Sequence, residues 1–320
     1  MQWRIASIGH SVGALRRRSC VALMAARLPF VVSAIFHYLG PAFAVLLFVR
    51  VDVLGVAWMR IAAAAVVFAL WRRPWRLLRN RDVILWGAVL AAMNCCFYLA
   101  IDRLPLATVA AIEFLPVIAL AALGMRTKRN YAALALAVPG VYLLTGVHLE
   151  GEPLGVALAL ANAGLFAAYI VLAHRVASTG AGVDGLAASM LVALVFVTPM
   201  AGWAAIPALG DPIAILAGIG VGISSSVIPY VADQIAMKRL SRAGYALMVS
   251  LLPATATVIG LLVLAQVPSL RDALGIALVI AGVALHREPT PPPAAPPPPR
   301  PRPSPAATPI PAASGSRGHP

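Results

Sequence analysis

The chain has 320 residues, 61% of them hydrophobic and only 11% charged, whereas a soluble domain is roughly half apolar and about a quarter charged. Too little polar surface is left to cover a water-soluble fold, which excludes an ordinary globular domain and makes bilayer the expected solvent. The formal charge of +14, from 25 Lys+Arg against 11 Asp+Glu, would suggest nucleic acid in a soluble protein. Here the basic residues alternate with long apolar runs, so they read as membrane topology and no nucleic-acid partner is expected.

Residues 1–27 carry Arg4, Arg16, Arg17, Arg18 and Arg27. They read as a basic cytoplasmic segment leading into a retained signal anchor, because no persuasive small-residue cleavage site follows. Runs of about 20 apolar residues, the length a spanning helix needs, then predict ten spans. They lie at 28–49, 53–71, 83–101, 105–124, 131–148, 153–173, 186–207, 213–232, 243–265 and 270–286. The last is short and opens with Arg271 and Asp272. The connectors are brief and leave no room for a sizeable soluble domain.

Polar and helix-breaking residues inside these runs are the candidate functional groups, since ionisable side chains are costly in hydrocarbon. In the first span His37 precedes Gly40 and Pro41; a histidine there can exchange protons near neutral pH or simply pack. Arg60, near the outer end of the second span, can receive a carboxylate or snorkel to the interface. Asn94 and Tyr98 share a face of the third span. Glu113 lies about 12 Å into the fourth at 1.5 Å per residue. Three residues on, Pro116 lacks an N–H and frees the Ile112 carbonyl. That pair forms a pocket for a proton, a cation or an ammonium; the alternative is a protonated Glu hydrogen-bonded between helices.

Asn162, Phe166 and Tyr169 share a face of the sixth span. Ser226, Pro229, Tyr230 and Asp233 make a polar stripe along the eighth. In the ninth, Pro253 frees the Val249 carbonyl beside Ser250, a neutral counterpart of the Glu113 site. Pro41, Pro116, Pro229 and Pro253 are the expected helix breaks and gating points.

Several chemistries find no support. Cys20, Cys95 and Cys96 make no disulfide framework, the adjacent pair reads as packing, and no cysteine–histidine spacing suits zinc. Gly218, Gly220 and Gly222 lie inside an apolar run and read as helix packing, not as a nucleotide loop. Neither lysine, Lys128 or Lys238, follows a glycine loop, so no ATPase is expected. Gly222 to Ser226 is not a nucleophile elbow. No enzyme, metal or cofactor is expected.

The connectors set the orientation. Arg72, Arg73, Arg76, Arg79 and Arg81 follow the second span; Arg126, Lys128 and Arg129 the fourth; Arg175 the sixth; Lys238, Arg239 and Arg242 the eighth. The alternate connectors hold only isolated Arg50, Arg103 and Arg271, with Glu150 and Glu152. The positive-inside rule puts both termini in the cytoplasm. Residues 288–320 hold 14 of the 27 prolines and read as a disordered, polyproline-II-like cytoplasmic tail.

The two halves also resemble each other. Residues 135–143 match 277–285 at five of nine positions, Gly140 on Gly282 among them. Arg103-Leu104 matches Arg239-Leu240, and Pro116 falls close to Pro253. An odd number of spans per half inverts the second half relative to the first. The expected fold is thus all-α and integral to the membrane: ten transmembrane helices in two inverted five-helix repeats, 28–148 and 153–286.

In this order the motifs resemble the EamA-type, ten-span branch of the drug/metabolite transporter superfamily, and within it the bacterial threonine and homoserine exporters. The likeness is carried by Arg60; Met93-Asn94 with Phe97-Tyr98-Leu99; and Leu104-Pro105-Leu106 with Glu113-Phe114 and Pro116. It continues through Ala168-Tyr169-Ile170, Pro229-Tyr230, Leu240, Met248, Ser250 and Pro253-Ala254, covering residues 30–286. Two positions depart: Gln266, where members often have an acid, and His37, where a neutral polar residue is usual. The resemblance implies a secondary transporter of the inner or plasma membrane. It implies proton-driven export of small amino acids or related metabolites by alternating access. Arg60 would attract the substrate carboxylate, and Glu113 would exchange a proton or bind the ammonium. The expected partners are substrate, protons and lipid, with a homodimer as one assembly to test. The alternatives are an exporter of drugs or nucleosides, an intramembrane enzyme, and a scaffold whose function would vanish on deletion of 288–320.

Overall fold

The computed structural model describes residues 28–116, 118–119, 127–149, 152–239 and 252–285. The expectations for 1–27, Ser250, Met248 and 288–320 lie outside the described residues. All regular structure among the described residues is helical. In chain order the helices are α1 Leu28–Leu47, α2 Val53–Arg72, α3 Arg81–Ile101, α4 Leu106–Glu113, α5 Lys128–Leu149 and α6 Pro153–Ser178. They continue with α7 Gly182–Val197, α8 Pro212–Gly222, α9 Ile228–Arg239, α10 Leu252–Leu264 and α11 Leu270–Leu285. Among the described residues, six segments are long and apolar enough to cross a membrane: 28–47, 53–72, 81–101, 153–178, 182–210 and 212–233.

Helix starts follow from capping chemistry that hydropathy does not register. Asp52, Asn80 and Asp211 accept the backbone N–H two residues on, at 2.9 Å each, and so begin α2, α3 and α8. A side-chain oxygen there satisfies one of the helix's orphan donors. At α11 the Ser269 and Asp272 side chains accept each other's backbone N–H at 3.2 and 3.0 Å, a reciprocal capping box.

Three expected spans differ in form. The fourth, expected over 105–124 with a break at Pro116, does break there: α4 stops at Glu113. There the Phe114 N–H turns to the carbonyls of Ala111 and Ile112, and Pro116 has no N–H with which to renew the Ile112 bond. The seventh continues past α7 through a wide π-helical turn at Thr198–Gly202, which contains Pro199, and ends in a 3-10 turn at Ile206–Gly210. The eighth is α8 and α9 joined by a second π-helical turn, Ile223–Val227, just before Pro229. Such turns arise where a helix must absorb a lost bond.

Packing brings the halves together at several places. Helices α2 and α7 run antiparallel, joined by Trp58 to Thr198 (3.0 Å) and by Arg72 to Asp184 (2.6 Å). Helices α5 and α11 also run antiparallel and meet backbone to backbone. A Cβ on Gly140 would lie 2.8 Å from the Gly275 carbonyl oxygen, one on Gly275 2.9 Å from that of Gly140, and one on Gly282 2.8 Å from that of Ala133. Only glycine permits this approach. Between helices in lipid, such van der Waals contact substitutes for the hydrophobic force that the solvent does not supply. At the end of this seam Arg129 Nε donates to the Leu285 carbonyl and closes α11. Large apolar side chains such as Val49, Leu70, Leu216 and Leu262 stand exposed around the bundle, as a lipid-facing surface requires.

Candidate functional site

The interior between α1, α2, α3, α4, α6 and the α8–α9 turn holds the polar residues. Pro229 cannot close the usual helical bond onto the Ser225 carbonyl. The Arg60 Nη2 group donates to that carbonyl instead, at 3.2 Å, and Nε donates to Ser226 Oγ at 3.0 Å. The guanidinium carbon lies 5.5 Å from the Tyr98 ring centroid, a cation–π arrangement. Arg60 is thereby held on the second half of the chain. Its two bonds leave further N–H groups of a five-donor fork.

Glu113 sits where α4 breaks and is 7% exposed. Asn162 Nδ2, from α6, donates to its Oε1 at 3.2 Å. Asn162 is wholly buried. Glu113 is within electrostatic reach of Arg60, Tyr38 and Tyr230. Arg60 reaches His37, Tyr98 and Tyr230 in the same way. Acid and base therefore share one neighbourhood, its walls contributed by both halves.

An aromatic ladder leads away from it. Phe114 meets Phe166 edge-on at 6.3 Å, Phe166 stacks on Tyr169 at 6.1 Å with 7° between planes, and Tyr169 lies 5.5 Å from Trp86. Tyr169 and Tyr230 lie within reach of each other's side chains.

The structure brings together Arg60, Tyr98, Glu113, Tyr169, Tyr230 and His37. His37 is half-buried, its ring edge-on to Tyr38 at 5.4 Å. Asn94 is placed differently: its Nδ2 donates to the Ala57 carbonyl at 3.0 Å, tying α3 to α2. Pro41 is buried in α1, Pro229 in α9 and Pro253 in α10, where the Pro253 carbonyl accepts from Thr257 Oγ1 at 2.9 Å. Ser225 and Tyr38 escaped the sequence reading. Ser225 had a usable signal, standing four residues before Pro229; Tyr38 had none beyond its neighbour His37.

At the end of the bundle opposite the Arg72–Arg81 connector, Gln266 has a defined role. Its Oε1 accepts the Leu106 N–H at 3.0 Å and so caps α4 from the second half. It lines a cavity of about 130 Å³ shared with Thr108, Thr257 and Asp272.

Comparison with known proteins places this arrangement. Residues 153–287 match the EamA-like transporter family. The threonine/homoserine exporter RhtA of Escherichia coli (strain K12) is 29% identical over 249 residues, covering 76% of this chain and 84% of its own length. Threonine/homoserine exporter RhtA of Salmonella typhimurium (strain LT2) is 29% identical over 262 residues, covering 78% of this chain and 88% of its own. One solved crystal structure, 20% identical, covers 82% of this chain and 96% of its own with a TM-score of 0.56, a likeness of fold.

Proposed function

We propose that the chain is an EamA-type member of the drug/metabolite transporter superfamily, a multi-pass membrane transporter that exports small zwitterionic amino acids, threonine- or homoserine-like, in exchange for protons. The observation that carries this reading is the buried acid–base neighbourhood of Glu113 and Arg60, walled by both halves. A guanidinium with spare donors suits a carboxylate, and a buried carboxyl suits an ammonium or a proton. The arginine-rich connectors favour a cytoplasmic side for both termini.

Alternating access needs two bundles related by inversion. Paired contacts favour that symmetry. Gly140 against Gly275 recurs as Gly282 against Ala133, with the halves exchanged. Gly87 of α3 backs onto Val192 of α7, and Gly222 of α8 backs onto Ala63 of α2. In the cycle, cytosolic substrate enters between the halves, the carboxylate docks on Arg60, the ammonium displaces a proton at Glu113, and rocking opens the far side.

Inside-out vesicles with an acidic lumen test the reading. Threonine or homoserine is expected to accumulate, and Glu113→Gln to abolish the gradient-driven part while the protein still folds. Uptake indifferent to the gradient, or unchanged in that variant, overturns the coupling role. The ladder of Trp86, Tyr169, Phe166 and Phe114 favours a second reading, a drug or nucleoside exporter, since planar rings stack on aromatic faces. Planar solutes accumulating in place of amino acids would establish it.

A further inference from the structure

Around Arg60 and Glu113, four buried polar atoms make no hydrogen bond of good geometry among the described residues: Tyr98 Oη, Ser225 Oγ, Asn162 Oδ1 and Tyr38 Oη; Tyr98 Oη has only weak contacts, with Ser225 and Arg60. Their residues are 0, 1, 0 and 1% exposed, so bulk water does not satisfy them. Unpaired buried polar atoms are costly and native structures keep few. Here four of them surround one acid and one base.

Their chemistry sorts by position. Tyr98 Oη lies beside Ser225 and Arg60, and both hydroxyls can donate. Together with the spare guanidinium N–H groups they make a set of donors that asks for acceptor oxygens. On the other side, Asn162 commits its Nδ2 to Glu113, which leaves its carbonyl oxygen as an acceptor beside the carboxyl. Tyr38, within electrostatic reach of Glu113, accepts or donates as required. Two acceptors and an adaptable hydroxyl ask for a group with several N–H donors.

We propose that these four side chains are the specificity shell of the site: Tyr98 and Ser225 read the carboxylate of a zwitterion beside Arg60, and Asn162 and Tyr38 read its ammonium beside Glu113. This rests on the export reading for the identity of the ligand, and it adds which residues reject a molecule lacking either charge. A site built to pair a polar group rejects an analogue without it far more strongly than a greasy pocket rejects a missing methylene, because its own groups are then left unpaired. Neither Asn162 nor Ser225 is a catalytic residue; each positions and selects.

The test is binding to the purified, detergent-solubilised full chain, read as a thermal shift. The probes are homoserine, 4-hydroxybutyrate (no ammonium) and 3-aminopropan-1-ol (no carboxylate). The wild type is expected to bind homoserine at least about 100-fold more tightly than either truncated probe. Asn162→Leu is expected to lose the preference over 4-hydroxybutyrate and keep that over 3-aminopropan-1-ol. Tyr98→Phe, which removes one oxygen and leaves the ring under Arg60, is expected to do the reverse, and it stands as the test alone should Asn162→Leu not fold. Equal weakening of all three probes in the variants, no discrimination by the wild type, or no binding of homoserine overturns the proposal. The crossed pattern without vesicle transport would leave the shell standing and overturn the export reading instead.

Discussion

The halves of the chain meet in two contrasting ways. Along α5 and α11 they touch backbone to backbone, with Gly140, Gly275 and Gly282 removing every side chain that would hold them apart. Around Arg60 and Glu113 they touch through polar groups, several of which make no hydrogen bond of good geometry among the described residues. The seam is complete as it stands, and its stability comes from close packing in a solvent as apolar as itself. In the proposed reading, the polar contact is completed by the ligand. The proposed transport cycle would use both: a contact that stays closed throughout and one that is satisfied only when loaded.

The largest effect is expected from Gly275→Leu. A Cβ there already meets the Leu144 side chain at 2.8 Å, and overpacking with a full side chain against backbone is expected to cost about 3 kcal/mol or more. Loss of the monodisperse peak in size-exclusion chromatography would register it; an unchanged melting temperature would show that the seam is not close-packed. Pro229→Ala attacks the pocket. It restores an N–H that competes with Arg60 for the Ser225 carbonyl, so thermal stability is expected to rise by about 1 kcal/mol while homoserine affinity falls severalfold. A fall in both would remove the argument that Pro229 hands this carbonyl to Arg60.

Ala265→Gly touches neither region. Ala265 ends α10 with φ +53°, and the Gln266 N–H returns to the Gly260 carbonyl at 3.0 Å, the closing bond of a helix end that favours glycine. Removing the Cβ is expected to stabilise by about 1 kcal/mol, read as a rise in melting temperature with transport unchanged. The smallest effect belongs to Arg72→Gln. Its pair with Asp184 also joins the halves, at 2.6 Å, but the side chains are 36% and 43% exposed. Such pairs contribute about 0.5 kcal/mol, so a melting shift as large as that from the seam would mean that exposed straps hold the halves together.

Much of this was legible in the sequence because hydrocarbon enforces a simple rule: apolar runs become helices, and a polar residue within one needs a reason. That rule singled out Arg60 and Glu113, and Pro116 marked the break that α4 makes. It was blind to events that depend on tertiary partners. Nothing local distinguishes Asn94, whose amide is spent on the Ala57 carbonyl, from Asn162, whose amide serves Glu113. The π-helical turns at 198–202 and 223–227 escape hydropathy because widening a helix by one residue leaves its composition unchanged. Gln266 stood out as a departure from the resembled family, yet its role as a cap became visible only when Leu106 was found beside it.

That cap changes what kind of part α4 is. The helix has only eight residues, about 12 Å of hydrogen-bonded rod. Gln266 grips one tip, and Glu113 rides on the other. If Glu113 moves along the axis when it gains or sheds a load, as the export reading requires, so short a rod would pass that displacement to the 265–269 loop or break the Leu106 bond. On that reading α4 would act as a piston between the charge at the centre of the bundle and the cavity at its rim.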